Sequence, residues 1–304
     1  MASELIWGLD LGGTKIECAV LESANYKVLC RNRVETQREK GYQHIVDQVG
    51  RLIEMTVESV GSRPKNIGIG MPGVPDPVTN MLKNGNTLCL NGMPFKEDVE
   101  KLVGANVVIA NDANCFALAE THMGIVPDIC PEAEVVLGVV LGTGVGGGVV
   151  VNGKALKGHH GIGGEWGHIF LDESGGDECY CNTRGCVESI ISGTALEKYY
   201  ASISGKPLRL KEIAQRVDID PNAKKTVDRL VQMFAKGIVQ IVNVLDPDVI
   251  VVGGGVSNIG SLCERAIPEM NKYIFNDAFN AKLVLPKLGD SAGVFGAAML
   301  VEQE

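Results

Sequence analysis

The pattern that most restricts how this chain can fold occurs twice. In IWGLDLGGTKIECAVLE an apolar run meets a pair of glycines and leaves as a second, alternating apolar run. EVVLGVVLGTGVGGGVVVNGK repeats the arrangement around Gly142, Thr143 and Gly144. Apolar runs joined by so short a glycine turn read as β-hairpins, and VLCRNRVET adds a third strand to the first. Helical and extended segments then alternate after each hairpin. Residues 41–60 carry Ile45, Val49, Leu52, Ile53 and Val57 at helical spacing and stop near Gly61 and Pro64. KNIGIGMPG and ANVVIAND read as buried strands, with NCFALAETHMG a helix after the second. Behind the second hairpin, helices are expected at about 193–202 and 223–245, then the strand DVIVVGGG, a helix from about 260, the strand AKLVLP and a last helix SAGVFGAAMLVEQE. This doubled order predicts an α/β fold of two lobes that hold a nucleotide between them. The expected division is a small lobe of residues 1–117, completed by a C-terminal helix at 291–304, and a large lobe of 118–290.

Composition agrees with an enzyme of that build. A chain of 304 residues is too long for one small core, and two packed lobes imply a cleft. A net charge of −9 disfavours nucleic acid and anionic membranes as partners, because phosphate contacts need clustered Lys and Arg. MASELIWG lacks a basic, then apolar, leader, and no window holds 18 uninterrupted apolar residues, so a cytoplasmic protein is expected. Of nine cysteines, Cys18, Cys30, Cys89, Cys115, Cys130 and Cys263 are scattered through apolar segments and read as reduced thiols. The other three fall between residues 179 and 186.

Three glycine turns follow apolar strands. In LDLGGTK, Gly12 and Gly13 let backbone N–H groups approach an anion, and Thr14 and Lys15 add a hydroxyl and a cation, although a plain hairpin turn uses the same glycine pair. LGTGVGGG, with Gly142, Thr143 and Gly144, is the second. VVGGGVSN, with Gly254, precedes a helix whose N–H groups favour phosphate. Together the three point to nucleotide binding. Neither GxxxxGK[ST] nor GxGxxG with a following acid is present, which disfavours the P-loop and dinucleotide folds.

Asp112 lies where a buried strand gives way to a helix. It can serve as an N-cap, as can Asn111, or as the base that takes the proton of a hydroxyl attacking a γ-phosphate. Asp10, at a strand end, is a candidate for the Mg²⁺ region of ATP or a solvated aspartate. Glu165 and Glu188 suit sugar hydroxyls or the surface. Between them, His168, Cys179, Cys181 and Cys186 give H-x10-C-x-C-x4-C, three thiolates and an imidazole that satisfy tetrahedral zinc with no open position. Glycines at 163, 164, 167, 175, 176 and 185 leave the loop little core of its own, which a metal would replace.

DLGGTK, AND at 110–112, LGTGVGGG, GEWGH at 164–168, CYCNTRGCVES at 179–189 and VVGGG resemble, in order and nearly end to end, the ROK family of sugar kinases and repressors. The resemblance implies an actin-like, ribonuclease-H-like fold, ATP and Mg²⁺ as cofactors with structural Zn²⁺, a homodimer, and phosphorylation of a hexose at its 6-hydroxyl. It implies Asp112 as general base, with Asn111, Asp112, Glu165, His168 and Glu188 on the sugar. It places Asp10, Gly12, Gly13, Thr14, Lys15, Gly142, Thr143, Gly144 and Gly254 at ATP or its metal. MLKNGNTLCLNGMPF and CYC…GCVESIISGT are most similar to the fructokinase and mannokinase members, so fructose or mannose ranks first, ahead of glucose and N-acetylglucosamine. The alternatives are a sugar-sensing repressor, for which no helix-turn-helix precedes the first turn, and an actin-like ATPase without a sugar pocket. One departure is Asn182, where the family usually has glycine; asparagine tolerates a left-handed backbone.

Overall fold

The computed structural model describes residues 4–172 and 176–303; Gly175, one of the loop glycines above, lies outside the described residues. The chain divides into two compact units: Met1–Asp128 with Gly148–Gly163 and Lys287–Glu304, and Ile129–Gly147 with Gly164–Pro286.

The first unit opens with β1 (Leu5–Leu11), β2 (Lys15–Glu22) and β3 (Val28–Glu35), an antiparallel meander. Helix α1 (Tyr42–Val60) follows and ends where Gly61 turns left-handed at φ 78° and donates its N–H to Val57. Then come β4 (Asn66–Met71), a small hairpin of β5 (Val74–Pro75) and β6 (Leu82–Lys83), α2 (Phe95–Val103), β7 (Asn106–Asn111), α3 (Asp112–His122) and α4 (Val126–Ile129). β4 and β7 join the meander in parallel, giving the order β3-β2-β1-β4-β7. One core of this unit gathers Ile45, Val49, Leu52 and Ile53 of α1, Phe95 and Val99 of α2, and Leu9, Ile67 and Ile69 of the sheet.

The last helix, α10 (Ala292–Met299, labelled after the elements of the second unit), packs against the strands without side chains to hold it off. A Cβ on Gly68 would stand 1.8 Å from the Ala297 carbonyl, and one on Gly296 would stand 1.8 Å from that of Cys115 in α3. Beyond Met299 the expected helix tightens to a 3₁₀ turn over Leu300–Glu302. Buried Glu120 ties the start of this segment to α3: its carboxylate accepts N–H bonds from Ile125 at 2.9 Å, Lys287 at 3.1 Å and Leu288 at 2.9 Å. The stretches 118–128 and 148–163 group with this unit, because α3 runs unbroken to His122 and packs on α10.

The second hairpin is β8 (Val135–Leu141) and β9 (Val145–Val151), extended by β10 (Lys154–Ala155). After it come α5 (Val187–Ile191), α6 (Gly193–Ser204), α7 (Leu210–Ala214), α8 (Pro221–Leu245), β11 (Val249–Gly253), α9 (Leu262–Met270) and β12 (Lys282–Val284). β11, buried along its whole length, lies parallel to β8 and β12, and the order is β10-β9-β8-β11-β12. The unit boundary passes through β9. Asp220 caps α8 by accepting the Asn222 N–H at 2.8 Å, with proline at the first helical position. Val227, Leu230, Phe234 and Ile238 are the buried stripe of α8. Among the described residues no helix is long and apolar enough to cross a membrane.

Candidate active site

In the first unit the turn between β1 and β2 is closed by Gly12, whose N–H bonds the Lys15 carbonyl at 3.0 Å, and is stitched to the end of β3. Thr36 donates its hydroxyl to the Gly12 carbonyl at 2.7 Å and its N–H to Thr14 at 3.0 Å. That stitching, followed by left-handed Gln37 at φ 48°, delivers Arg38 to the turn: a Cβ on Gly13 would lie 3.2 Å from its Nη1. Lys15 is drawn the other way, 3.5 Å from Glu17 Oε2. Glu17 is buried at 2% exposure and is also held by Arg31 and, at 3.4 Å, by Arg33. The turn therefore has two cations beside it, of which Arg38 was not anticipated; no spacing rule marks a residue brought in by the chain two strands later.

Asp10, at the end of β1, is partly buried and its carboxyl is raised to about 6, by burial first and then by the charge of Asp112, against the pull of Lys15. A Cβ on Gly293, in the first turn of α10, would stand 3.1 Å from Asp10 Oδ2. Asn111, last in β7, has extended backbone and is the N-cap of α3, its Oδ1 accepting the Ala113 N–H at 2.8 Å. Asp112 is then the first helical residue. It is solvent-reachable, and the protein packed around its base raises its carboxyl above the ordinary range despite N–H contacts that lower it. Both side chains accept the Ala113 N–H at 2.8 Å, Asp112 through Oδ1, so Asn111 shares the cap while the exposed Asp112 carboxylate keeps its second oxygen for other partners. The charge of Asp112 is thus near enough to raise Asp10, and neighbouring carboxylates of this kind are of the donor type that a hard divalent cation takes.

In the second unit the remaining two glycine turns come together. Gly142, at the end of β8, accepts the Gly193 N–H at 2.8 Å, and the Thr143 carbonyl accepts the Thr194 hydroxyl at 3.1 Å. The Leu141 carbonyl accepts the Val256 N–H at 3.0 Å, just past Gly254. Gly254 has φ 85°, and a Cβ there would lie 2.2 Å from Leu141 O. These segments open onto a cavity of about 810 Å³ whose walls include Thr143, Thr194, Lys211, Gly255 and Asn258. Bare backbone with a few polar ends suits a nucleotide.

GEWGH is shaped by its tryptophan. Trp166 is buried, donates Nε1–H to the Gly146 carbonyl at 2.9 Å and meets Phe234 of α8 edge-to-face, with centroids 6.2 Å apart. Gly167 fits because a Cβ would strike the Val145 carbonyl at 2.3 Å. The short 3₁₀ turn so anchored holds Glu165 and His168 4.0 Å apart. Glu188, in the first turn of α5, accepts the Val145 N–H through Oε2 at 2.8 Å, and a Cβ on Gly144 would come within 2.5 Å of that oxygen. A carboxylate anticipated for the sugar therefore also braces the second glycine turn.

The ligand atoms of His168, Cys179, Cys181 and Cys186 all lie within 4.8 Å of one another. His168 Nδ1 is 3.5 Å from Cys179 Sγ, and Cys181 Sγ is 3.5 Å from Cys186 Sγ. Tetrahedral zinc with ordinary bond lengths separates such atoms by roughly 3.5–3.8 Å, so the donor set fits the ion in number, type and spacing. Short bridges, Phe170 with Cys186 and Glu178 with Arg184, fold the loop onto itself. Asn182 takes the left-handed backbone at φ 64°, so the turn survives the missing glycine.

Residues 6–304 match the model of the ROK family. The chain belongs to the ROK family. Similar curated members include the N-acetyl-D-glucosamine kinase of Pasteurella multocida, 35% identical over 97% of this chain and 98% of that one. That of Aliivibrio fischeri is 33% identical over 97% and 99%. The ROK hexokinase of Thermus thermophilus has a TM-score of 0.87 at 32% identity, covering 98% of this chain and 97% of that one. A ROK family glucokinase from Streptomyces griseus, in complex with glucose and AMPPNP, has a TM-score of 0.76 at 29% identity, covering 99% and 100%. This ROK protein is an ATP-dependent sugar kinase with the two-lobed hexokinase fold.

Proposed function

We propose that the enzyme transfers the γ-phosphoryl group of ATP to the 6-hydroxyl of a glucose-type hexose, with N-acetyl-D-glucosamine as first candidate and glucose as second. The ranking drawn from motif text, with fructose or mannose ahead, gives way to the relatives, which are named for N-acetylglucosamine and crystallised with glucose. The observation that carries the mechanism is Asp112 at the start of α3, exposed to solvent, with its carboxyl held above the ordinary range by the protein around it. It takes the proton of the 6-hydroxyl as that oxygen attacks in line, a contribution on the order of 10²–10⁴ in rate. Asn111 through its amide N–H, Glu165, His168 and Glu188 hold the remaining hydroxyls.

Gly12, Gly13, Thr14 and Lys15, joined by Arg38, receive the phosphates; Gly142, Thr143, Gly144 and Gly254 receive the rest of the nucleotide. Asp10 would hold the Mg²⁺ that accompanies ATP, directly or through water, and the ion would supply neutralisation of phosphate charge there. His168, Cys179, Cys181 and Cys186 would hold a structural zinc, which would tie down the loop that carries the sugar ligands. The test is ADP release from Mg-ATP by zinc-loaded protein against N-acetylglucosamine, glucose, mannose, fructose and N-acetylmannosamine, with Asp112→Ala as control. A rate with one of the first two that vanishes in the variant is expected. A preference for fructose would overturn the sugar, and an unimpaired variant would overturn the base.

A further inference from the structure

The residue between the first two cysteines of the zinc loop does something that neither the metal nor the chemistry above has assigned to it. Tyr180 is folded back over His168: the rings meet at 86° with centroids 4.9 Å apart, and the phenol oxygen is 2.7 Å from Nε2. The other imidazole nitrogen, Nδ1, faces Cys179 Sγ. His168 is thus held from both sides, by the Cys179 thiol on one nitrogen and by a phenol on the other. Tyr180 is otherwise open to solvent, 69% exposed, so core packing does not explain its orientation.

A histidine that ligates through Nδ1 must carry its proton on Nε2, and that N–H needs an acceptor. We infer that Tyr180 is the positioning residue for His168: its hydroxyl accepts Nε2–H, fixes the tautomer that presents Nδ1 to zinc, and holds the place that a sugar hydroxyl takes on binding. The second half rests on the proposal that His168 lines the sugar site; the first half does not.

Loss of such an outer partner typically weakens metal binding by about 10–100-fold. The experiment follows zinc transfer from the full-length, zinc-loaded protein to a chromogenic chelator, for the parent and Tyr180→Phe, without sugar and with saturating N-acetylglucosamine or glucose. The cobalt-substituted spectrum of each protein verifies that three thiolates and an imidazole still surround the metal. Without sugar, Tyr180→Phe should release zinc roughly tenfold faster. With sugar the two proteins should converge, because a sugar hydroxyl supplies the missing acceptor. Equal release without sugar overturns the positioning role. A difference that persists undiminished with a sugar the parent phosphorylates overturns the place-holding role. If the parent phosphorylates neither sugar, yet Tyr180→Phe still sheds zinc faster, the substrate proposal fails while the positioning role stands.

Discussion

The turn Gly12–Gly13–Thr14 and the turn Gly142–Thr143–Gly144 each join the first two strands of a five-stranded sheet, and the two sheets share one strand order. Around the first stand Asp10, Glu17, Lys15, Arg31, Arg33 and Arg38. The second is clasped by backbone bonds from Gly193 and by the Glu188 carboxylate. One backbone device thus stands in two settings: one crowded with charged side chains, and one whose backbone lines a cavity. The difference teaches that the glycines set where an anion or a ring can approach, while residues far along the chain decide what each turn does.

The comparison can be broken most severely at Asp112. Asp112→Ala should reduce turnover by about 10²–10⁴-fold while calorimetric binding of a nucleotide in the second unit stays intact. Next in size, Trp166→Ala removes the anchor of the GEWGH turn and should lower stability by about 3–5 kcal/mol in denaturant titrations, with zinc lost at lower denaturant than in the parent. The two turns then separate cleanly under a single methyl group. Gly144→Ala drives a Cβ against Glu188 and should lower kcat/KM by about tenfold, the size expected when a buried hydrogen bond worth about 1–3 kcal/mol is disturbed. Gly13→Ala meets the mobile end of Arg38 and should change it far less. Arg38→Ala should weaken ATP several-fold and leave AMP unchanged in equilibrium titrations, since a guanidinium at the charge-handling turn contributes through the outer phosphates.

The smallest effect concerns Asp10 in metal-free protein. Its carboxyl, normally near 3.8, titrates at about 6 in the fold, so the folded chain keeps a proton that the unfolded chain releases between those values. Stability from that proton is present at low pH and is lost as pH rises through the window. Asp10→Asn should accordingly raise the melting temperature at pH 7, by the equivalent of about 1–2 kcal/mol, and leave it unchanged near pH 3.5.

Much of the architecture was legible because it rests on periodicity. The hairpins, α1, α8 and β11 announce themselves through apolar spacing and glycine punctuation. Missed were α2, α4, α5 and α7, the two-residue β10, and the small β5–β6 hairpin. These are short pieces whose apolar positions are too few to set a period, and Phe95 and Val99 reveal α2 only once the sheet they cover is in place. The zinc cluster was readable because metal geometry demands ligands at short spacing. Arg38, Glu17 and Tyr180 were not, for each acquires its partner through tertiary placement: Arg38 after a left-handed residue, Glu17 across two strands, Tyr180 by folding back on a ligand twelve residues earlier.

Glu188 has one oxygen committed to the Val145 N–H beside Gly144. If its other oxygen grips the sugar, the carboxylate is a lever with a substrate at one end and the nucleotide turn at the other. An ill-fitting epimer would then be penalised in turnover as well as in affinity, and the enzyme's discrimination would show itself in how fast it works as much as in what it holds.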